Sequence, residues 1–237
     1  MKIGIMQPYF FPYIGYFQLI NHVDKWVIFD DVQYIRHGWV NRNRILHPTD
    51  GWQYIIAPLE KHSHKQSIKD VQINNTTNWK LKIMNQLVHY KKKAPYYRQC
   101  IEIIEKALDI NTNNITELNT NILEVICNNL EISFSYQISS LTNFNYSDVE
   151  GSGDWALTIS SQLHATEYVN PIGGKELFNR TKFEEQGIKL SFLQSSMEKL
   201  VYKQGYRSFE PALSIIDLLM FCSKDEIKSM LDQYEVL

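Results

Sequence analysis

Cysteine is scarce in this chain: Cys100, Cys127 and Cys222 are the only three among 237 residues. They lie far apart and no two share CxxC spacing, so neither a disulfide framework nor a zinc site is expected. Each falls in an apolar stretch of helical periodicity, which predicts reduced core thiols and a cytoplasmic protein. Long hydrophobic runs are missing too. No stretch approaches 18 uninterrupted apolar residues, so no membrane-spanning helix is expected. The opening Met1-Lys2-Ile3-Gly4-Ile5-Met6-Gln7-Pro8 breaks too early for a secretory signal. Charge of one sign is also lacking. With 24 Lys and Arg against 26 Asp and Glu, the net charge is −2, which argues against a nucleic-acid partner held by clustered cations. GxGxxG, GxxxxGK[ST], HExxH and GxSxG are absent, and with them the dinucleotide, phosphate-loop, zinc-peptidase and hydrolase chemistries those motifs carry.

What is present is an ordinary globular composition, 44% hydrophobic and 21% charged, rich in aromatics at 13% with 14 tyrosines and 5 tryptophans. Lys2 to Met6 and Trp26 to Phe29 read as short buried strands. Gln53 to Ala57, Asp70 to Ile73, Phe134 to Ile138, Glu167 to Val169 and Ile188 to Leu193 read as further strands. Residues 32–52 read as a structured loop with strand pieces. Helical spacing runs through Leu81, Met84, Leu87 and Val88, then through Ile101, Ile104, Ala107 and Leu108. Asn114 with Glu117 resembles a capping box opening a third helix to Leu130. Helices are also expected over 154–164 and 180–186, the latter stopped by Gly187, and from Pro211 through Leu219. Ser223 with Glu226 should cap a last one. Strands alternating with helices predict an α/β fold with a mostly parallel sheet and flanking helices, forming a single domain over 1–237. A helical insert of about 79–131 would interrupt it.

Ligands of open α/β sheets bind beyond the carboxyl ends of the strands, at the switch point of strand order. That rule singles out three segments. After the first strand come Gln7, Tyr9 and Tyr16, with Gly15 letting a ligand approach the start of a helix whose free N–H groups suit phosphate. After the second strand, Asp30 and Asp31 are candidates for a base or an amine-orienting pair. Gln33, Trp39, Asn41, Arg42 and Arg44 follow as ligand contacts. Alternation puts Arg42 and Arg44 on one face, where guanidinium forks fit phosphate or carboxylate. The third segment is Gly173-Gly174-Lys175, a βα junction whose amides and lysine suit an anion. Ser140, Tyr202 and Gln204 are further candidate contacts. Asp217 sits in the apolar Leu213–Leu219 stretch, where a carboxylate needs a partner. His62 and His64 form an exposed polar turn, and no metal site is expected.

Several of these segments together resemble the WbqC-like family. They are Met6-Gln7-Pro8-Tyr9-Phe10-Phe11-Pro12-Tyr13-Ile14-Gly15-Tyr16-Phe17, Asp30-Asp31-Val32-Gln33, Trp39-Val40-Asn41-Arg42-Asn43 and Tyr90-Lys91-Lys92-Lys93-Ala94-Pro95-Tyr96-Tyr97. Tyr168 to Lys175 and Phe209 to Asp217 complete the set, in the family's order from residue 3 to about 222. The family takes its name from genes of bacterial O-antigen and other surface-polysaccharide clusters. The resemblance therefore implies a cytoplasmic role in making or decorating a nucleotide-linked sugar, and the first hypothesis is a transferase that attaches an acyl or aminoacyl group to an amino sugar. No cofactor would be tightly bound, and acyl-CoA or ATP would serve as co-substrate. The partners expected are the nucleotide-linked sugar and neither nucleic acid nor membrane; a homodimer stays open. Two alternatives also remain open: nucleotidyl transfer with Mg²⁺ held by Asp30 and Asp31, and a non-catalytic nucleotide-sugar or glycan-binding partner of a glycosyltransferase. A second likeness is to nucleotidylyl-transferase topologies. Tyr13-Ile14-Gly15-Tyr16 stands where those folds carry HxGH, with tyrosine in place of both histidines.

Overall fold

Strands buried on both faces of a parallel sheet read as unbroken apolar runs. Lys2–Met6 (β1) and Lys25–Ile28 (β2) do so and pair in parallel, joined by helix α1 (Ile14–His22). The computed structural model describes residues 1–205 and 208–237. After β2 the chain leaves the sheet. Arg42–Leu46 (β3) and Trp52–Ile56 (β4) form a separate antiparallel hairpin, in register Arg44 to Tyr54 and Leu46 to Trp52. Three helices follow: α2 (Trp79–Leu87), α3 (Tyr97–Leu108) and α4 (Ile115–Leu130). The chain then returns to pair Tyr136–Ile138 (β5) beside β2. Helix α5 (Asp154–Gln162) leads to Glu167–Pro171 (β6) on the other side of β1, and α6 (Arg180–Glu185) to Lys189–Ser195 (β7). After α7 (Ile215–Phe221) and α8 (Lys224–Leu231), Tyr234–Val236 (β8) closes the edge antiparallel to β7.

The sheet order β5-β2-β1-β6-β7-β8 runs outward in both directions from β1. It is the 3-2-1-4-5-6 order of a doubly wound sheet, with its switch point between β1 and β6. The expected α/β fold with a mostly parallel sheet is thus the fold the chain adopts. Two apolar clusters cover the two faces. Phe17, Leu19, Ile20 and Trp26 share one with residues of α2, α3, α4, α7 and α8. Ile3, Ile5 and Val27 share the other with Ile159 of α5 and Phe183 of α6. Each fully buried Leu, Ile or Phe contributes about 1.5–3 kcal/mol to holding these layers together.

Several local expectations are corrected. Residues 70–73 do not form a strand. A single turn of 3-10 helix over Ile68–Asp70 is followed by isolated bridges, Gln72 to Asn114 and Ile73 to Leu59. Pro211 lies four residues ahead of α7, and the helix is capped by the Ser214 side chain on the Ile216 amide. Cys222 consequently falls just past the end of α7, in extended backbone, although all three thiols are buried and free. Asn114 caps α4 through the amides of Thr116 and Glu117, but the box stays open because the Glu117 carboxylate accepts the Thr112 hydroxyl instead. Ser223 and Glu226 do complete theirs. The departure from the sheet begins with the β3–β4 hairpin, well before residue 79, and β8 had no sequence expectation at all.

No helix among the described residues is long and apolar enough to cross a membrane.

Candidate functional site at the switch point

A cleft of about 1300 Å³ opens over the carboxyl ends of β1, β2 and β6. That is larger than the few hundred to about 1,000 Å³ of most small-molecule sites. Its walls draw on both apolar clusters. Tyr9, Tyr13, Tyr16 and Val32 belong to the α1 face, and Ile5, Phe29, Tyr168 and Phe178 to the α5 face. The cleft therefore straddles the sheet at the crevice that the switch in strand order creates.

The first candidate segment supplies Gln7, Tyr9 and Tyr16. The Tyr16 hydroxyl donates to the Gln7 carbonyl at 2.9 Å, and its ring lies 5.5 Å from that of Tyr9. Burial holds both phenols above their ordinary pKa, so each is a neutral donor at physiological pH. Gly15 does not admit a ligand. A Cβ there would lie 2.5 Å from the Tyr13 ring, so the glycine makes room for that ring over the start of α1.

The two aspartates separate. Asp30 is 1% exposed and absent from the cleft wall. Its carboxylate accepts from the Ser139 hydroxyl, the Ser140 amide and the Ser140 hydroxyl at 2.8–3.0 Å, which ties the end of β2 to the turn after β5. Asp30 is therefore a structural acceptor rather than a base, and Ser140 is its partner rather than a ligand contact. Asp31 does line the cleft, with 10% of its side chain exposed. Lys69 holds Oδ1 at 2.9 Å and the Tyr146 hydroxyl holds Oδ2 at 2.9 Å. Tyr146 is pushed up by burial and then by this carboxylate, so it remains a hydrogen-bond donor.

The arginines separate as well. Both side chains emerge from the same face of β3, as alternation requires. The Arg42 guanidinium stacks 4.2 Å from the Tyr54 ring centroid and donates to the carbonyls of Gly38 and His37. It straps down the rim turn, in which His37 takes the left-handed conformation at φ 64°, and it does not line the cleft. Arg44 does. Its guanidinium carbon lies 5.5 Å from the Trp39 ring and 5.2 Å from that of Trp52, one Nη donates to the Ala212 carbonyl at 3.1 Å, and Nε is buried without a hydrogen-bond partner. No carboxylate pairs with Arg44 among the described residues. Trp39, Gln33 and Arg36 stand beside it on the wall. Asn41 is turned away, accepting from Tyr34 at 2.7 Å and donating to the Ala57 carbonyl at 2.9 Å.

Gly173 and Gly174 border the cleft from the turn after β6, but Lys175 points to solvent and is not part of the wall. Tyr202 and Gln204 are also elsewhere. Both donate to the buried Asp217 carboxylate, at 2.5 and 2.8 Å, and Tyr90 donates to it at 2.7 Å. Residues that were not among the sequence candidates complete the site: Trp155 at the start of α5, Phe29 just past β2 and Asn170 of β6 line the wall, and Tyr146 on the loop before α5 stands behind Asp31. The Trp155 ring packs 4.7 Å from Tyr146 and 5.6 Å from Phe29. The position of α5 depends on Gly153, where a Cβ would fall 2.1 Å from the Leu177 carbonyl oxygen of the adjoining turn after β6. Gly153→Ala should therefore push the helix start away at a cost of about 1–3 kcal/mol, read as a fall of several degrees in Tm. An unchanged Tm would show that the rim yields freely.

Comparison with known proteins agrees with this geometry in extent. The model of the WbqC-like protein family matches residues 7–229, a span that includes every cleft segment except the end of β1, Ile5 and Met6. A Mycobacterium tuberculosis protein, named only as uncharacterized protein Rv1507c, is 31% identical over 221 residues, which cover 92% of each chain. No solved structure matches. With nearly the whole chain matched, from the Gln7 turn into α8, the protein belongs to the WbqC-like family.

Proposed function

We propose that the cleft binds a nucleotide-linked sugar in the cytoplasm, and that the protein transfers an acyl or aminoacyl group to an amino group of that sugar during the making of bacterial surface polysaccharide. The observation that carries this reading is Arg44. It is a guanidinium lodged between two indoles at the switch-point crevice, with a buried Nε lacking a partner and, among the described residues, no carboxylate to neutralise it. A diphosphate supplies the acceptor oxygens that such a fork fits. Asp31, fixed by Lys69 and Tyr146, is the group that orients the sugar amine and takes its proton. As the amine nitrogen attacks the acyl carbon of a thioester or an acyl adenylate, the C–N bond forms and the bond to sulfur or phosphate oxygen breaks. The leaving group departs as thiolate or AMP. Acyl-CoA, or ATP with an amino acid, arrives as co-substrate.

Nucleotidyl transfer through Mg²⁺ shared by Asp30 and Asp31 has less support, because both oxygens of Asp30 are already occupied by Ser139 and Ser140. The test is a thermal-shift screen of UDP- and dTDP-linked sugars, followed by mass spectrometry of mixtures with acyl-CoA or with ATP and amino acids. A ligand at about 100 times its Kd raises stability by roughly 2.7 kcal/mol, which is readily seen. A mass gain on an amino sugar is the expected result. Binding without any product would leave a nucleotide-sugar-binding partner of another enzyme, and no binding would remove the reading altogether.

A further inference from the structure

The two sides of the cleft differ in charge. Every cationic or imidazole side chain on its wall, Arg36, Arg44 and His64, comes from the segment between residues 33 and 64. The side built by α5, β6 and the turn after it contributes none. There the side chains of the wall are mainly Phe29, Trp155, Ala156, Leu177 and Phe178 above Ile5, with Ser152 and the Gly173-Gly174 turn beside them. The one buried polar pair on this side is already self-satisfied, because the Tyr168 hydroxyl donates to Asn170 Oδ1 at 2.9 Å and Asn170 Nδ2 donates to the Pro171 carbonyl at 2.9 Å. Leu177 stands at the mouth with 57% of its surface exposed. The charged group of the wall that faces this side is Asp31, paired with Lys69 through Oδ1 and joined through Tyr146 to the Trp155 ring.

From this division we infer that the α5 side of the cleft is the sugar subsite and that it selects a deoxygenated amino sugar over a fully hydroxylated one. The diphosphate goes to the cationic side, because no cation on the other side can meet it. The group beyond the diphosphate then lies against a wall of rings and aliphatic carbons. A hexose with its full set of hydroxyls would bury several donors and acceptors there without partners, each at a cost. A ring in which CH₂ or CH₃ replaces hydroxyl loses nothing, and its apolar edge packs on Trp155 and Phe29. One polar substituent does have a place. An amino group beside Asp31 shares that carboxylate with Lys69 and Tyr146 and lies against the neighbouring rings.

This inference rests on the nucleotide-sugar reading, and one experiment separates the two. Calorimetric titrations of the full chain would use dTDP, dTDP-glucose, dTDP-6-deoxyglucose and dTDP-4-amino-4,6-dideoxyglucose, which share one nucleotide. The expected result is tighter binding along the three sugars in that order, the last exceeding dTDP-glucose by on the order of tenfold to a hundredfold, the range that one buried pocket achieves. Leu177→Asn, an exposed rim change that leaves the fold alone, should narrow that ratio without altering the affinity for dTDP. Asp31→Asn should remove the advantage of the amino compound over the 6-deoxy compound. Equal affinities, or a preference for dTDP-glucose, would overturn the subsite while leaving the nucleotide reading standing. A failure of dTDP and all three sugars to bind would overturn both.

Discussion

Arg44→Ala is expected to weaken nucleotide-sugar binding tenfold to a hundredfold. A charge-assisted hydrogen bond is worth roughly 1.5–3 kcal/mol, and the fork has a buried Nε free to make one. Arg44→Lys should recover only part of the loss. An ammonium keeps the attraction but loses the planar fork and the stacking between Trp39 and Trp52. Both variants should fold, since the side chain's one direct bond is to the Ala212 carbonyl and its main-chain oxygen still accepts from the Ser214 amide at 2.8 Å. Arg42→Ala gives the contrast. That residue holds the carbonyls of His37 and Gly38, so its loss loosens the rim turn and acts on the ligand only through Trp39. Titrations of one nucleotide sugar against the three variants, with melting curves beside them, decide the matter. An Arg44→Ala protein that binds as tightly as the native chain would take Arg44 out of the site.

Arg42 and Arg44 also show where the sequence stops being informative. Their placement on one face followed from strand alternation, which is a local property. What each touches depends on a turn in which His37 adopts a positive φ, and that turn sends the carbonyls of 37 and 38 back to Arg42. Neighbouring residues Asp30 and Asp31 diverge for a similar reason. They face opposite ways at the end of β2, one toward the serines after β5 and the other into the cleft, and the β5 pairing that brings those serines close spans more than a hundred residues. The order of strands and helices was largely legible because buried parallel strands and capped helices announce themselves locally. Tyr146 and Trp155 were not. They lie on and after an irregular loop with no periodicity, and only the packing of α5 against β6 carries them to Asp31. Tyr202 and Gln204 looked like ligand contacts because tyrosine and glutamine in a loop suit that role. The apolar neighbours of Asp217 did signal a carboxylate in want of partners, and those two residues proved to be the partners.

Asp217→Ala should have the largest effect on stability of any single change considered. The carboxylate is fully buried and no cation among the described residues pairs with it; Tyr90, Tyr202 and Gln204 donate to it, and Tyr90 also accepts from the Leu46 amide at 2.8 Å. Removing the acceptor strands the Tyr90 and Tyr202 hydroxyls, while Gln204 keeps the Glu210 carbonyl, at a net cost of roughly 2–4 kcal/mol, and for a chain of this length that lowers Tm by roughly 5–15 °C. The damage should reach Arg44, because this network fixes α7 against β3. Asp217→Asn is the finer probe. Burial raises the native pKa to about 6 from an ordinary 3.8, and the three hydrogen bonds only partly oppose it. A raised native value means that folding favours the protonated acid. The stability that this proton confers is fully present below about pH 4 and is lost as pH rises through about 6. The shift of about two units corresponds to roughly 3 kcal/mol between those limits. Paired carboxylates such as Asp154, held down by Lys182, titrate in the opposite sense, so the reading is the difference between native and Asp217→Asn chains at each pH. The native chain should lose ground to the asparagine variant steadily between pH 4 and 7. Parallel stability curves for the two proteins over that range would show that Asp217 is ionised and accommodated in the fold at every pH tested.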